Sequence, residues 1–542
     1  MRNFKFKRSL AFVAVSSLLS LTVVSIPTAA RASTPACTTA NFVTTCVGAT
    51  SDTAPYMMMV PANFNGTVFL HSHAFRPNIP IPAGIPGYGG YTVTNTPEPV
   101  PGGNTTIASH LLGKGYAIVG SGFARQGWNI DSAIKTNVEL IGVFKKQFSK
   151  TTKVVAWGNS MGGGISQALA EKYPDLIDAH ASLCTVSDPS QIINYGGDVV
   201  FGLKAFFDPT IKGGNYSAGA AGYAEAMADI GKIFAVALSM QTAIAANPNT
   251  PAWPATSRVP DAIKAAIPSR SALVLIALMA GMPLQSAHFD STSTPPGAPA
   301  NVAFGAQNAV YPSLAALENM ATAAALGVLV LYDLELQTGG NTFDNTKTDY
   351  AARVADERDI WSLALSGNTA TATLLGYLAS VPKVAAQPAA VEKLKTLVSH
   401  TGQTTKPSIL FKGIADPATL AGMQQSLADK YSAYLADQWA KGKKAGDRKR
   451  PTNNQLVLWN FTPEKYMKFT AAGTPDTSTP AATGTNHCNF TIKQYLAIAD
   501  LLAYAAENGK NMSGGPLLTK LRKAGNMSFD RKFEAPRLKA LG

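Results

Sequence analysis

Lys153-Val154-Val155-Ala156-Trp157-Gly158-Asn159-Ser160-Met161-Gly162-Gly163-Gly164 is the stretch whose reading decides the fold. The apolar run from Val154 to Trp157 reads as a buried strand and residues 165–172 read as a helix, with the serine at their junction inside Gly-x-Ser-x-Gly. A sharp strand-to-helix turn lifts a serine hydroxyl into the open, and glycines two before and two after it leave room for close backbone approach. The helix that follows points its N-terminal dipole toward the negative charge formed in acyl transfer. Ser160 is the candidate nucleophile.

Outward from this turn, residues 55–190 alternate short β-rich apolar runs with helical patterns, the mark of a mostly parallel sheet wound with helices. Strands are expected at 55–60, 66–74, 116–123, 153–160 and 179–186, with helices near 107–114, 130–148 and 161–173, the last stopped by Pro174. The alternation resumes after residue 405, with strands at 408–416 and 455–461 and helices near 420–441 and 491–508. Residues 191–400 differ in being Ala-rich with long helical patterns at 218–246, 262–282, 311–337 and 350–365, broken by turn-forming segments at 247–257 and 291–300. They read as a helical insertion, either an independent domain with its own core or a cap over a site on the sheet, and the presence of Ser160 favours the cap.

The strand, elbow and helix around Ser160 resemble the nucleophile elbow of the α/β-hydrolase family, over 33–190 and 401–512. The resemblance implies an α/β fold: a mostly parallel sheet flanked by helices, with a large helical cap insertion. It also implies a triad in the chain order Ser, acid, His. His71, His73 and His110 precede Ser160, His180 begins the next strand, and His288 and His400 lie in the insertion and its exit, which leaves His487 as the general base. Asp416, in Gly413-Ile414-Ala415-Asp416-Pro417 after an apolar strand, is similar to the family's acid. Asp188, also followed by proline, is the alternative. For the oxyanion hole the family uses the amide after the nucleophile, here Met161, and a second from the loop His71-Ser72-His73-Ala74-Phe75, with His73 or Ala74 as the candidates. Arg125 and Trp128, in a loop expected on the same rim, are read either as substrate contacts or as an ion pair and a packed indole.

Cys37 and Cys46 are nine apart and suit a small loop, leaving Cys184 and Cys488. Cys488 adjoins His487 and Cys184 ends the strand after the elbow, so a bridge between them would pin the loop carrying the base. Tannase-type and feruloyl-esterase hydrolases show a similar cysteine beside the histidine, but theirs pairs with a cysteine directly before the serine, where this chain has Asn159.

The chain has 542 residues, 46% apolar, 15% charged and 8% aromatic, with 46 Gly and 34 Pro, which excludes disorder, collagen and coiled coil. Arg2, Lys5, Lys7 and Arg8, then an apolar run over 10–26, then Ala30-Arg31-Ala32, read as a secretory signal peptide over 1–32, with an uncleaved anchor as the other possibility. Without its five basic residues the net charge falls from +13 to +8, weak grounds for a nucleic-acid partner. No later apolar run is read as long enough to span a membrane, and no Cys-x-x-Cys or His-Glu-x-x-His suggests a metal. The division expected is signal peptide 1–32, core 33–190, cap 191–400, core 401–512 and a basic tail 513–542 to which no function is assigned. The function expected is a secreted or periplasmic serine hydrolase of carboxylic esters, small or polymeric, with no metal or organic cofactor and no stable membrane anchor. A peptidase or amidase of the same fold, or a catalytically silent binding protein, is the alternative.

Overall fold

The computed structural model describes residues 34–85 and 89–541, and the expected signal peptide lies outside them. Nine strands form one sheet: β1 (Ala36–Ala40), β2 (Val43–Ala49), β3 (Pro55–Pro61), β4 (Thr67–Ser72), β5 (Ala117–Ser121), β6 (Lys153–Asn159), β7 (Ala179–Leu183), β8 (Ser408–Gly413) and β9 (Gln455–Asn460). Their order is β1-β2-β3-β5-β4-β6-β7-β8-β9. The first three are antiparallel, β3 is antiparallel to β5, and from β5 onward every pairing is parallel. Each residue of β4, β5, β7 and β8 is buried, which is why these strands read as unbroken apolar runs rather than as alternations.

Successive residues of a strand face opposite sides, so Phe69 and Leu70 enter different cores. On one side Phe69, Trp157, Ala181 and Phe411 pack against Ile498 and Leu502 of helix Ile492–Asn508 and Leu517 of helix Gly514–Ala524. On the other, Leu70, Val154 and Ile165 belong to one continuous cluster that runs on into Val199, Ile276 and Val328 of the inserted helices. The insertion thus has no core separate from that of the sheet. It starts with helix Pro189–Phe206 and ends with Pro388–Leu394, between β7 and β8. Its side chains bond to loops after four strands: Asp333 to Asn78 and Arg125, Tyr195 to Pro417, and His288 to Thr479. Those loops follow β4, β5, β8 and β9 at their C-terminal ends, the rim on which ligands bind in open parallel sheets.

Several expectations change. The hairpin β1–β2 was not expected. Its Thr-rich strands carry little apolar alternation, and the Cys37–Cys46 disulfide closes it. Residues 262–282 form two helices, Asp261–Ala266 and Ser269–Ala280, because Pro268 cannot continue the first. The helix expected over 350–365 stops at Val354. Two helices, Gly219–Ala246 and Ala300–Thr338, are long and apolar enough to cross a membrane by length and composition, contrary to the reading of shorter apolar runs. The longer one has 72% of its most apolar window inside the protein, the burial of a core helix. The basic tail is packed: Leu517, Leu521, Met527 and Leu538 are buried, and Phe533 stacks edge-on against Trp459 and Phe461.

Candidate active site

The turn from β6 into helix Met161–Lys172 places Ser160 at φ 55° and ψ −120°, a left-handed φ that costs a non-glycine residue about 1–3 kcal/mol. Close packing on both sides enforces it. A Cβ on Gly162 would sit 1.9 Å from the Ser72 carbonyl oxygen, and one on Gly158 would sit 2.5 Å from both that oxygen and the Gly162 backbone, so neither position admits a side chain. The Ser160 N–H donates to the Leu183 carbonyl at 2.8 Å, tying the elbow to the end of β7. Ser160 is 6% exposed.

β8 leads into the second partner. Asp416 is fully buried, and its carboxylate accepts from the Ala418 N–H at 2.9 Å and the Thr419 N–H at 3.0 Å, with the Thr419 hydroxyl 3.0 Å away. His487, in the long loop after β9, donates from Nδ1 to Asp416 at 2.9 and 3.0 Å. Since a carboxylate only accepts, Nδ1 carries a proton. Burial works to raise the Asp416 pKa, but His487, then Lys412 and the Thr419 amide, outweigh it and hold the carboxyl below its ordinary range.

The Cys184–Cys488 disulfide joins the residue after His487 to the residue after Leu183, whose carbonyl anchors Ser160. His487 and Ser160 therefore lie on one rim. His487 Nε2 lies 3.5 Å from Cys488 Sγ, and no hydrogen bond joins it to Ser160. Ligand atoms of Cys184, His487 and Cys488 fall within 4.8 Å of one another, but both sulfurs are spent in the disulfide and are no thiolate ligands.

The Met161 N–H opens its helix and, like the Ala74 N–H, donates to no acceptor among the described residues. His73 beside it donates from Nδ1 to the Ala74 carbonyl at 2.7 Å, and burial, aided by Arg76, lowers its pKa to about 4.

Asp188, Arg125 and Trp128 each have partners of their own. Asp188 makes no hydrogen bond to His487: it caps helix Pro189–Phe206, accepting from the Ser190 N–H at 2.9 Å and the Ser399 hydroxyl at 2.6 Å. Arg125 donates to Asp333 at 2.6 Å. Trp128 is buried, and its backbone N–H donates to Asp333 as well, at 2.6 Å, so of the two readings the ion pair and packed indole describe this loop. Two residues were missed. Thr419 binds both Asp416 and, at 2.8 Å, the Cys184 carbonyl, and Lys412 is a wholly buried lysine in β8. The one signal for Lys412 was a charge inside the apolar run Ile409–Gly413.

A family model described as the alpha/beta hydrolase fold matches residues 119–211. The solved structures similar to the chain include feruloyl esterase B from Aspergillus oryzae, at 11% identity over 82% of this chain and 73% of that one, with a TM-score of 0.31. They also include an esterase from Aspergillus oryzae at 12% identity, covering 77% and 71%, with a TM-score of 0.30. An alpha/beta hydrolase fold protein from Nakamurella multipartita is 12% identical, covering 92% and 100%, with a TM-score of 0.27. No curated protein matches the chain. At these identities and TM-scores the likenesses decide nothing about substrate. The sheet order, the elbow between β6 and its helix and the matched segment make this chain a protein of the α/β-hydrolase fold.

Proposed function

We propose that the chain is an exported serine hydrolase that cleaves carboxylic esters. The observation that carries this reading is the buried Asp416 held in two hydrogen bonds by His487 Nδ1, on the rim that also bears Ser160 in a left-handed elbow. In the proposed reaction Ser160 Oγ attacks the ester carbonyl carbon while its proton passes to His487 Nε2. The oxyanion so formed accepts from the Met161 N–H and from that of Ala74 or His73. Collapse expels the alcohol, which takes the proton from His487, and leaves an acyl-Ser160. Water then gives its proton to His487 and attacks the acyl carbon, releasing the carboxylic acid and restoring Ser160. Asp416 keeps His487 in the Nδ1–H tautomer and stabilises the imidazolium. The cycle asks for no metal or organic cofactor.

The inserted helices serve in this reading as a cap, which fits the near-complete covering of Ser160 and the bonds from the insertion to four rim loops. Two disulfides suit an oxidising compartment, hence a secreted or periplasmic protein. Ester rather than amide follows from the family resemblance. A silent scaffold is the second reading, favoured by the missing Ser160 to His487 hydrogen bond, although such bonds are commonly long before substrate binds. A fluorophosphonate probe separates the two, because only an activated serine reacts. Labelling of the parent and none of Ser160→Ala supports the hydrolase, and an unlabelled parent defeats it. Acyl esters against peptide amides then set the substrate class.

A further inference from the structure

Lys412 is the penultimate residue of β8 and has no exposed surface. Its Nζ donates to three backbone carbonyls: Thr185 at 2.8 Å, Thr419 at 3.0 Å and Leu420 at 3.1 Å. Three acceptors match the three N–H groups of an ammonium, whereas a neutral amine has only two to give. The acceptors are not scattered. Thr419 and Leu420 belong to the turn that grips Asp416, and Thr185 follows Cys184, whose carbonyl takes the Thr419 hydroxyl at 2.8 Å. Thr419 is the junction of the arrangement: its carbonyl meets Lys412, its N–H and hydroxyl meet Asp416, and its hydroxyl lies 3.5 Å from His487 Nδ1.

The charges follow the same layout. Asp416 is the acid whose field reaches Lys412, yet no ion pair joins them directly, because the turn's carbonyls occupy the ammonium. His487, by contrast, meets the carboxylate itself. The other titratable group on this turn is Tyr195, from helix Pro189–Phe206, whose hydroxyl donates to the Pro417 carbonyl at 2.5 Å. Burial pushes the Lys412 pKa down to about 7 while Asp416 pulls it up.

We propose that Lys412 is a positioning residue for the Asp416–His487 pair, its ammonium clamping the Asp416 turn through three carbonyls and, as a second cation beside the carboxylate, keeping His487 unprotonated to lower pH. The sign is set by electrostatics: without Lys412 the buried carboxylate has His487 as its remaining counter-cation, the imidazolium is favoured, and the base is lost at higher pH. This inference rests on the Ser160, His487 and Asp416 reading.

The test measures the rate of fluorophosphonate labelling against pH for the full chain, for Lys412→Met and for Lys412→Gln. The expected result is an acid-side midpoint moved up by about one pH unit in both variants, on top of a lower plateau. A lower plateau with an unmoved midpoint is what a purely structural clamp gives, and it overturns the proposal. An unlabelled parent overturns the hydrolase reading and this inference together, so the two failures are distinct. Should neither variant fold, the coupling is read from its other end. Linkage is reciprocal, so His487→Ala must move the titration of the Lys412 ammonium, followed by NMR of the 15N-lysine-labelled chain. An unmoved Lys412 titration overturns the proposal.

Discussion

Arg125 and Asp333 pin the inserted helices to the sheet: Arg125 Nη2, in the loop after β5, donates at 2.6 Å to the fully buried carboxylate of Asp333 on helix Tyr311–Thr338. The same carboxylate accepts from Asn78 Nδ2 at 2.5 Å, the Trp128 N–H at 2.6 Å and Gln337 Nε2 at 3.0 Å. Burial raises the Asp333 pKa against the opposing pull of Arg125. Four donors on one carboxylate are what make an ionised group tolerable at this depth.

Removing that carboxylate strands the donors without an acceptor. Asp333→Ala should lower unfolding free energy by about 3–5 kcal/mol, the range found when one partner of a buried pair is lost. Thermal or urea unfolding measures it. Because the half-exposed Arg125 can turn to water, Arg125→Ala should cost less, and the double variant should cost less than the two singles added together. Additive losses would show that the two side chains are not coupled.

Predictions for the proposed triad are ordered by role. Ser160→Ala should abolish ester turnover and leave the fold intact, since only a hydroxyl leaves the elbow. His487→Ala should be nearly as damaging, and Asp416→Asn should cost several thousandfold. Asp188→Ala should instead cost about 1 kcal/mol of stability through the lost helix cap and leave turnover within a few fold. Turnover by Ser160→Ala within tenfold of the parent would remove the assignment.

What could be read beforehand was local, and what could not was tertiary. The elbow at 158–162 and the Asp416-Pro417 turn are written in adjacent residues, and chain order alone singled out His487. Helix Pro189–Phe206 was not expected, and it carries three glycines, Gly196, Gly197 and Gly202, residues that weaken a helix. In the fold Gly196 is required by the backbone of Gly327, about 3 Å from where its Cβ would stand, a constraint over a hundred residues away. The same distance hid Arg125's partner, and a lysine inside an apolar strand gives no hint that three carbonyls await it.

Deleting residues 200–395 and closing the gap with a short linker tests whether the insertion can be separated from the sheet. The continuous cluster through Leu70, Val199, Ile276 and Val328 changes the expectation. The deletion should expose one face of the sheet and give an insoluble or molten product rather than a small active core. Circular dichroism in the near and far ultraviolet decides, and a cooperatively melting deletion would show that the two parts are separable.

His288 provides a pH-dependent tie between the insertion and the loop carrying His487. Its Nδ1 meets Glu318 at 2.5 Å and its Nε2 meets the Thr479 carbonyl at 2.8 Å, two acceptors that call for an imidazolium. Burial works to lower its pKa, but Glu318, Thr479 and Asp476 outweigh that and raise it above the ordinary value. A raised folded pKa gives stability that is full below the unfolded value, near 6.5, and is lost as pH climbs through the folded one. The melting temperature of Glu318→Gln should therefore fall furthest below the parent near pH 5–6, with the gap closing above neutrality. A gap independent of pH would assign the pair no titrating role.

The two disulfides should differ in what they protect. Cys184 and Cys488 are 304 residues apart, and both stand at left-handed φ, 43° and 51°, beside the Ser160 anchor and His487 respectively. Their crosslink restricts a very long stretch of unfolded chain, an effect of about 2–5 kcal/mol. It also holds the loop that presents Nδ1 to Asp416. Replacing both by serine should lower stability and turnover together. Cys37, on exposed strand β1, and Cys46, buried on β2, close a hairpin at the edge of the sheet, far along the strand order from β6, so their double replacement should cost less stability than the loss of the longer loop and leave turnover nearly unchanged. Peptide mapping without reduction, followed by unfolding and ester assays on both double variants, checks the contrast. Equal loss of activity from the two would mean that the Cys184–Cys488 bridge supports the fold as a whole and not the placement of His487.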